Sequence, residues 1–237
     1  MSSEPLLTLD GVGKRFLGLT VLDDVSFSVA PSEILGLVGP NGSGKTTTIN
    51  LISGVHRTDT GTIRFEGRSI ERMPSHRLVH LGINRTFQVP KPFPEMTTRQ
   101  NIEVAAYFGA GTREESAVDA VLAEIDLAGE ARTLARELTV NQQKRLDLGR
   151  ALATKPKLLL VDEIGAGLNP GELHVIGELL MSIAKRGVAL IVVEHLLDFL
   201  NRITNRVIVL NAGRTLFEGT LTDASHDADV VAAFIGG

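Results

Sequence analysis

An apolar run that ends in a glycine-rich turn constrains this chain more than any other feature. Ile34 to Val38 reads as a strand buried on both faces, and it stops at Gly39-Pro40-Asn41-Gly42-Ser43-Gly44-Lys45-Thr46. The octet fits G-x-x-x-x-G-K-[ST], and a helical pattern follows from Lys45 to about Ser53. Strand, glycine loop and helix in that order make a phosphate-binding loop. Successive backbone N–H groups turn inward around a β-phosphate, and the positive end of the helix adds to the attraction. Lys45 supplies a mobile charge for the β- and γ-phosphates, the Thr46 hydroxyl is placed to ligate Mg²⁺, and Thr47 completes the ATP-binding set. An ordinary glycine turn is the plain alternative, but it needs neither the lysine nor the hydroxyl nor both flanking elements.

A second buried-strand pattern, Leu158 to Val161, stops as abruptly at Asp162 and Glu163. In a doubly wound sheet ligands lie at the carboxyl ends of strands, so both acids are expected to face the loop. Asp162 is then the holder of Mg²⁺ through its water shell, and Glu163 the base that orients and polarises an attacking water. Two acids after a strand are by themselves more often a solvated strand end; the phosphate loop in the same chain reverses that preference.

Around these motifs the chain alternates. Leu6 to Leu9, then Val25, Phe27 and Val29 alternating with serines, then Thr62 to Phe65, read as strands with turns. From Thr97 to about Leu152 apolar residues recur at spacings of three and four, which predicts a largely helical middle segment. Helix Gly171 to Lys185, strand Val188 to Val193, helix His195 to Ile203, strand Arg206 to Leu210 and a hairpin at Asn211 to Gly213 follow. Strands alternating with helices predict a mainly parallel sheet in an α/β fold. The helical segment reads as a subdomain inserted into one α/β core.

Net charge is −4, so no bulk electrostatic attraction to nucleic acid or anionic lipid is expected, and any anionic ligand must be held locally. Cysteine is absent, which removes disulfides, thiol catalysis and thiolate metal sites and fits the cytosol. Met1 to Asp10 lacks a basic residue ahead of an apolar core and does not read as a secretory signal. The longest apolar runs are strand-sized, so membrane association is expected only through a partner.

With these motifs in place, the chain resembles the nucleotide-binding domains of ABC transporters over essentially its whole length. That resemblance implies a P-loop NTPase core with a mainly parallel sheet, an N-terminal antiparallel β-subdomain and an inserted α-helical subdomain. The core would span about 1–88 and 156–237, and the helical part 89–155. It implies that Phe16 stacks on adenine and that Gln88, in Gly82-Ile83-Asn84-Arg85-Thr86-Phe87-Gln88, touches Mg²⁺ or its water and senses the permease. His195, in Val193-Glu194-His195, would contact the γ-phosphate, and Gly167-Leu168-Asn169-Pro170 would meet an opposing subunit. No role is assigned to His56, His76, His80, His174 or His226. These strings, with Phe217-Glu218-Gly219-Thr220 and Ala233-Phe234-Ile235-Gly236 near the end, are similar to the ATP-binding subunits of branched-chain amino-acid importers. Related urea, amide and aromatic-acid importers share them.

One motif departs. Where the family has Leu-Ser-Gly-Gly-Gln, with a bulky residue tolerated at the first glycine in the branch this chain resembles, this chain has Leu138-Thr139-Val140-Asn141-Gln142. Thr139 keeps a hydroxyl for the γ-phosphate of a partner's ATP. Asn141 is expected to imitate the lost glycine, since Asn tolerates a left-handed backbone. Val140 is β-branched and stiff. Either the change is harmless drift or the composite site is weakened, and the second reading implies a heterodimer whose other ATP subunit supplies an intact signature. Ile164, where the family usually has proline, is a smaller departure.

The resemblance thus implies a transport ATPase working with a second ATP-binding subunit, two membrane-spanning permeases and, indirectly, a solute-binding protein, on the inner face of the cell membrane. A soluble ABC ATPase of DNA repair or translation would carry two ATP domains or a long coiled-coil insertion, and neither is present. A regulatory nucleotide switch without turnover fits the altered signature but not the intact Glu163 and His195.

Overall fold

The computed structural model describes residues 4–235; Met1 to Ser3 and the terminal Gly236 of the Ala233-Phe234-Ile235-Gly236 string lie outside them. Its centre is a six-stranded sheet in the order β10-β9-β3-β8-β7-β6. The strands are β3 (Ile34–Val38), β6 (Ile83–Arg85), β7 (Leu158–Asp162), β8 (Ala189–Val193), β9 (Arg206–Asn211) and β10 (Arg214–Gly219). All pairings are parallel except β9 with β10, which form the hairpin at Asn211 to Gly213. Near-continuous aliphatic strands of this kind are stable only when both faces are covered, and both are. Side chains alternate across the pleat. Leu159, Val161, Leu190, Val192, Val207 and Val209 enter one apolar core, while Leu158, Leu160, Ile191, Val193, Ile208 and Leu210 enter the other.

The second core is shared with a four-stranded antiparallel sheet, β2-β1-β4-β5, built from β1 (Leu7–Phe16), β2 (Leu19–Val29), β4 (Thr60–Phe65) and β5 (Arg68–Ser69). Leu17 and Gly18, both at positive φ, make the two-residue turn between β1 and β2. Helix α1 (Lys45–Ile52) packs Ile49, Leu51 and Ile52 into this core, and α2 (Ser75–Leu81) precedes β6.

The first core faces the helices. Between β6 and β7 lie α3 (Thr98–Ala105), a π turn Ala106–Ala110, α4 (Glu115–Glu124), a 3₁₀ turn Ala135–Glu137 and α5 (Val140–Leu152). The middle segment is therefore largely helical but broken, with a loop from Ile125 to Leu134. Helices α6 (Pro170–Lys185), α7 (Leu197–Ile203), α8 (Leu221–His226) and α9 (Ala228–Ile235) complete the order. Helix α7 begins two residues later than the sequence pattern suggests, leaving His195 and Leu196 in the connection after β8. Among the described residues no helix is long and apolar enough to cross a membrane.

Register is what assembles the site. Leu37 of β3 pairs with Val193 of β8, and Val193 pairs with Asp162 of β7. The carboxyl ends of three adjacent strands are level, so Gly39, Asp162-Glu163 and His195 emerge along one edge.

Candidate nucleotide site

The phosphate loop is shaped by glycines that nothing else could replace. Gly39 has φ 147°, and a Cβ there would overlap the Leu210 carbonyl and approach Ser43 Oγ to 2.7 Å. Gly44, at φ 107°, is the N-cap of α1, where a Cβ would fall inside the Leu22 side chain. Because glycine has no side chain to cap with, no side-chain hydrogen bond caps α1 and no acid lies in its first turn. The first N–H groups of a helix lack intrahelical partners, and here they stand ready for an anion. Ser43 Oγ is buried without a hydrogen-bond partner, an orphaned group in the middle of the loop that a phosphate oxygen would satisfy. Lys45 Nζ donates to the carbonyls of Gly39 (2.7 Å) and Pro40 (2.9 Å), folding back across the loop. Burial lowers the Lys45 ammonium from its ordinary value, opposed by the nearby charges of Glu163 and Asp162. Asn41, Gly42 and Thr46 are exposed and Thr47 is half-buried. These features fit the triphosphate of a nucleotide.

Beside the loop stand the carboxylates. Glu163 adopts a left-handed backbone, φ 48°, a conformation that costs a non-glycine residue roughly 1–2 kcal/mol. The turn swings its side chain between two others: Gln88 Nε2 donates to Glu163 Oε2 at 2.6 Å, and His195 Nε2 lies 3.1 Å from Glu163 Oε1. Two residues far from Glu163 in sequence thus converge on its carboxylate. Asp162 is buried, and Arg85 Nη2 reaches its Oδ2 at 3.3 Å. Burial pushes the Asp162 carboxyl above the usual carboxylate value; the Arg85 charge pulls it down and Glu163 pushes it further up. Among the described residues no three metal-ligating side chains cluster. Asp162 and the Thr46 hydroxyl are oxygen donors of the kind that Mg²⁺ takes from a protein, the rest of its shell being water and phosphate oxygens.

Other candidates lie apart from this cluster. Phe16 ends β1 half-exposed, edge-to-face with His56 (centroids 5.1 Å apart) and with Lys14 Nζ 5.2 Å from its ring centre; His56, given no role from sequence, is its packing partner. Thr139 caps α5, accepting from Gln142 N while the Gln142 side chain accepts from Thr139 N. Val140 and Asn141 are the first two helical residues, and Asn141 is not among the residues at positive φ. The expectation that Asn141 copies a glycine's left-handed backbone is therefore wrong. Helix propagation from the Thr139 cap imposes right-handed dihedrals, and Asn141 Oδ1 instead accepts from Arg145 Nε at 2.9 Å. Thr139, Asn141 and Gln142 line a cleft of about 390 Å³ with Asn169, Gly171 and Glu172.

Sequence reading passed over several residues that hold the site. Arg85 bridges Asp162 and Asn50 Oδ1 (2.7 Å), with its guanidinium 4.8 Å from the Phe87 ring centre. Asn101, fully buried, accepts from Phe93 N and donates to the carbonyls of Phe93, Met96 and Thr97, shaping the loop after Gln88. Asp147 accepts from Phe87 N at 2.9 Å. The one available signal was a polar residue inside an apolar helical or strand pattern.

The family model described as ABC transporter matches residues 22–166, which include the phosphate loop, the 138–142 segment and both acids. The chain belongs to the ABC transporter family. It is 31% identical to the high-affinity branched-chain amino acid transport ATP-binding protein BraF of Pseudomonas aeruginosa, over 99% of both chains. It is 35% identical to a probable branched-chain amino acid transport ATP-binding protein, LivG, of Archaeoglobus fulgidus, over 98% of this chain and 95% of that one. Its fold matches the ADP conformation of MJ1267, an ATP-binding cassette of an ABC transporter, with TM-score 0.90 at 31% identity, covering 99% and 100% of the two chains. This ABC subunit binds ATP and its reaction is ATP hydrolysis.

Proposed function

We propose that this ABC ATPase subunit powers the import of branched-chain amino acids, or of a related small polar solute, by hydrolysing ATP at the edge of its parallel sheet. The observation that carries the chemistry is the Glu163 carboxylate set between Gln88 and His195 beside an uncapped phosphate-binding helix. In this reading Gly39 to Thr47 cradle the phosphates and Lys45 exchanges its carbonyl partners for phosphate oxygens. Phe16 stacks on the base. Glu163 accepts a proton from the attacking water while His195, at the γ-phosphate, and Gln88 fix its orientation. Mg²⁺, held by Thr46, Asp162 and Gln88, would neutralise charge on the β- and γ-phosphates. The relatives' names support the solute class.

The subunit works at the inner face of the cell membrane through two permease subunits, with a solute-binding protein acting on them rather than on this chain. The loop from Val89 to Pro94 exposes Val89 and Phe93 next to Gln88 and would dock a permease segment. The Val140-Asn141 pair sits where the family has glycines, which supports pairing with a different ATP subunit. Each γ-phosphate would then be held by one subunit's loop and the other's 138–142 segment, so this chain's own nucleotide meets the partner's intact motif.

Glu163→Gln tests the mechanism. It is expected to preserve nucleotide affinity while lowering turnover by about 10²–10⁴. Normal turnover would show that another residue positions the water.

A further inference from the structure

Two buried charges beside the site take no part in the chemistry above. Lys144, in the middle of α5, and Glu194, between β8 and His195, are 5% and 3% exposed. Burial pushes the Glu194 carboxyl up and the Lys144 ammonium down from their ordinary values. Taking such groups out of water is costly unless something compensates. What compensates here is the backbone of the turn after Glu163, and one peptide of it meets both charges. Lys144 Nζ donates to the Ile164 carbonyl at 2.8 Å and also to the Ala166 carbonyl, while Glu194 Oε1 accepts from Gly165 N at 2.6 Å. The Ile164 C=O and the Gly165 N–H belong to the same planar unit and point in opposite directions, so the cation and the anion grip it from opposite sides, each facing the end of the peptide dipole it complements.

We propose that Lys144 and Glu194 are positioning residues for Glu163, clamping the Ile164–Gly165 peptide so that the left-handed turn at Glu163 keeps its carboxylate between Gln88 and His195. The proposal rests on the reading of Glu163 as the base. Within the backbone of the turn, Glu163 N also donates to Val193 O (2.9 Å), Ala166 N to Glu163 O (3.3 Å) and Leu168 N to Gly165 O (3.1 Å). The turn is also packed tightly: a Cβ on Gly165 would lie 3.1 Å from Glu194 Oε1 and 3.0 Å from Leu173 Cδ2. Because Lys144 lies on the helix that Thr139 caps, and Glu194 is bonded to His195, the same peptide joins α5 and the end of β8 to the base.

The test uses the subunit assembled with its partner ATPase and permeases, comparing Lys144→Met, Lys144→Arg, Glu194→Ala, Glu194→Gln and Gly165→Ala. Met at 144, Ala at 194 and Ala at 165 are expected to lower kcat about ten- to a hundredfold with nucleotide Kd within about twofold, because only the base is displaced. Arg at 144 keeps a donor and Gln at 194 keeps an acceptor, so both are expected to restore kcat to within about threefold. Wild-type kcat in any of the three disruptive variants overturns the clamp, as does a parallel loss of kcat, affinity and melting temperature without rescue. If Lys144→Met or Glu194→Ala does not fold, Gly165→Ala decides. Glu163→Gln in the same complex separates the two ideas. Turnover retained there removes the base and the clamp's purpose together, whereas turnover lost there but kept in the clamp variants removes the clamp alone.

Discussion

Restoring glycine at positions 140 and 141 should weaken the fold slightly and strengthen hydrolysis, and the opposite signs make the pair of substitutions informative. Val140 is 63% exposed at the first position of α5, so Val140→Gly removes no packing, and its cost is helix propensity, at most about 1 kcal/mol. Asn141→Gly loses the 2.9 Å bond from Arg145 Nε, about 1 kcal/mol more. The Thr139–Gln142 cap uses neither side chain and survives. A total near 2 kcal/mol lowers the melting temperature of a domain this size by about 4–8 °C. Against this, one or two backbone donors regained at a partner's γ-phosphate would raise turnover about tenfold to a thousandfold. The assay is steady-state ATPase activity of the chain alone and mixed with its partner subunit, wild type against the double variant. A heterodimer with one intact site should show a feeble isolated wild-type chain, a gain for its homodimer on restoring both glycines, and little change in the mixture. Full activity of the isolated wild-type chain, or no gain on restoration, refutes it.

Lys45→Ala removes the ammonium that now bonds to the Gly39 and Pro40 carbonyls; ATP affinity measured by titration is expected to fall at least about a hundredfold, in a chain that still folds. Phe93→Asp replaces a half-exposed ring that Arg150 covers at 5.1 Å; the fold should change by less than about 1 kcal/mol while copurification with the permease is lost. Burial raises the Asp147 carboxyl in the folded state above its ordinary 3.8. Its contribution to stability is therefore fully present below that value and is lost as pH rises through the folded pKa. Asp147→Asn, which keeps an acceptor for Phe87 N, should flatten that fall, and denaturant melts between pH 3 and 7 (about the span where carboxyls titrate) check it.

Much of the architecture follows from contiguous residues. The run Ile34 to Val38, the glycines at 39, 42 and 44, and the strand ending at Asp162 carry their structure locally, because side-chain alternation, glycine's access to positive φ and the spacing of apolar residues act over a few positions. From these alone the strand, loop and helix could be placed, and the two acids assigned to the same edge. The middle helices were legible as a class, but not their breaks, at the π turn that ends on the left-handed Gly111 and at Ile125 to Leu134, where Asp126 takes a positive φ. Asn141 shows the limit most plainly. Its residue type permits a left-handed backbone, yet its place one residue inside a capped helix imposes the right-handed one, since helix formation is cooperative along the backbone.

The partners of Glu163 belong to the tertiary structure alone. Gln88 and His195 lie 75 and 32 residues from it along the chain, and only the parallel pairing of β6 and β8 on either side of β7 brings them within hydrogen-bond reach. Lys144 and Glu194 carry no such signal in sequence, being a lysine within a helix and a glutamate after a strand. A sequence records which groups a residue can offer, whereas burial and the register of distant strands decide which of those groups meet.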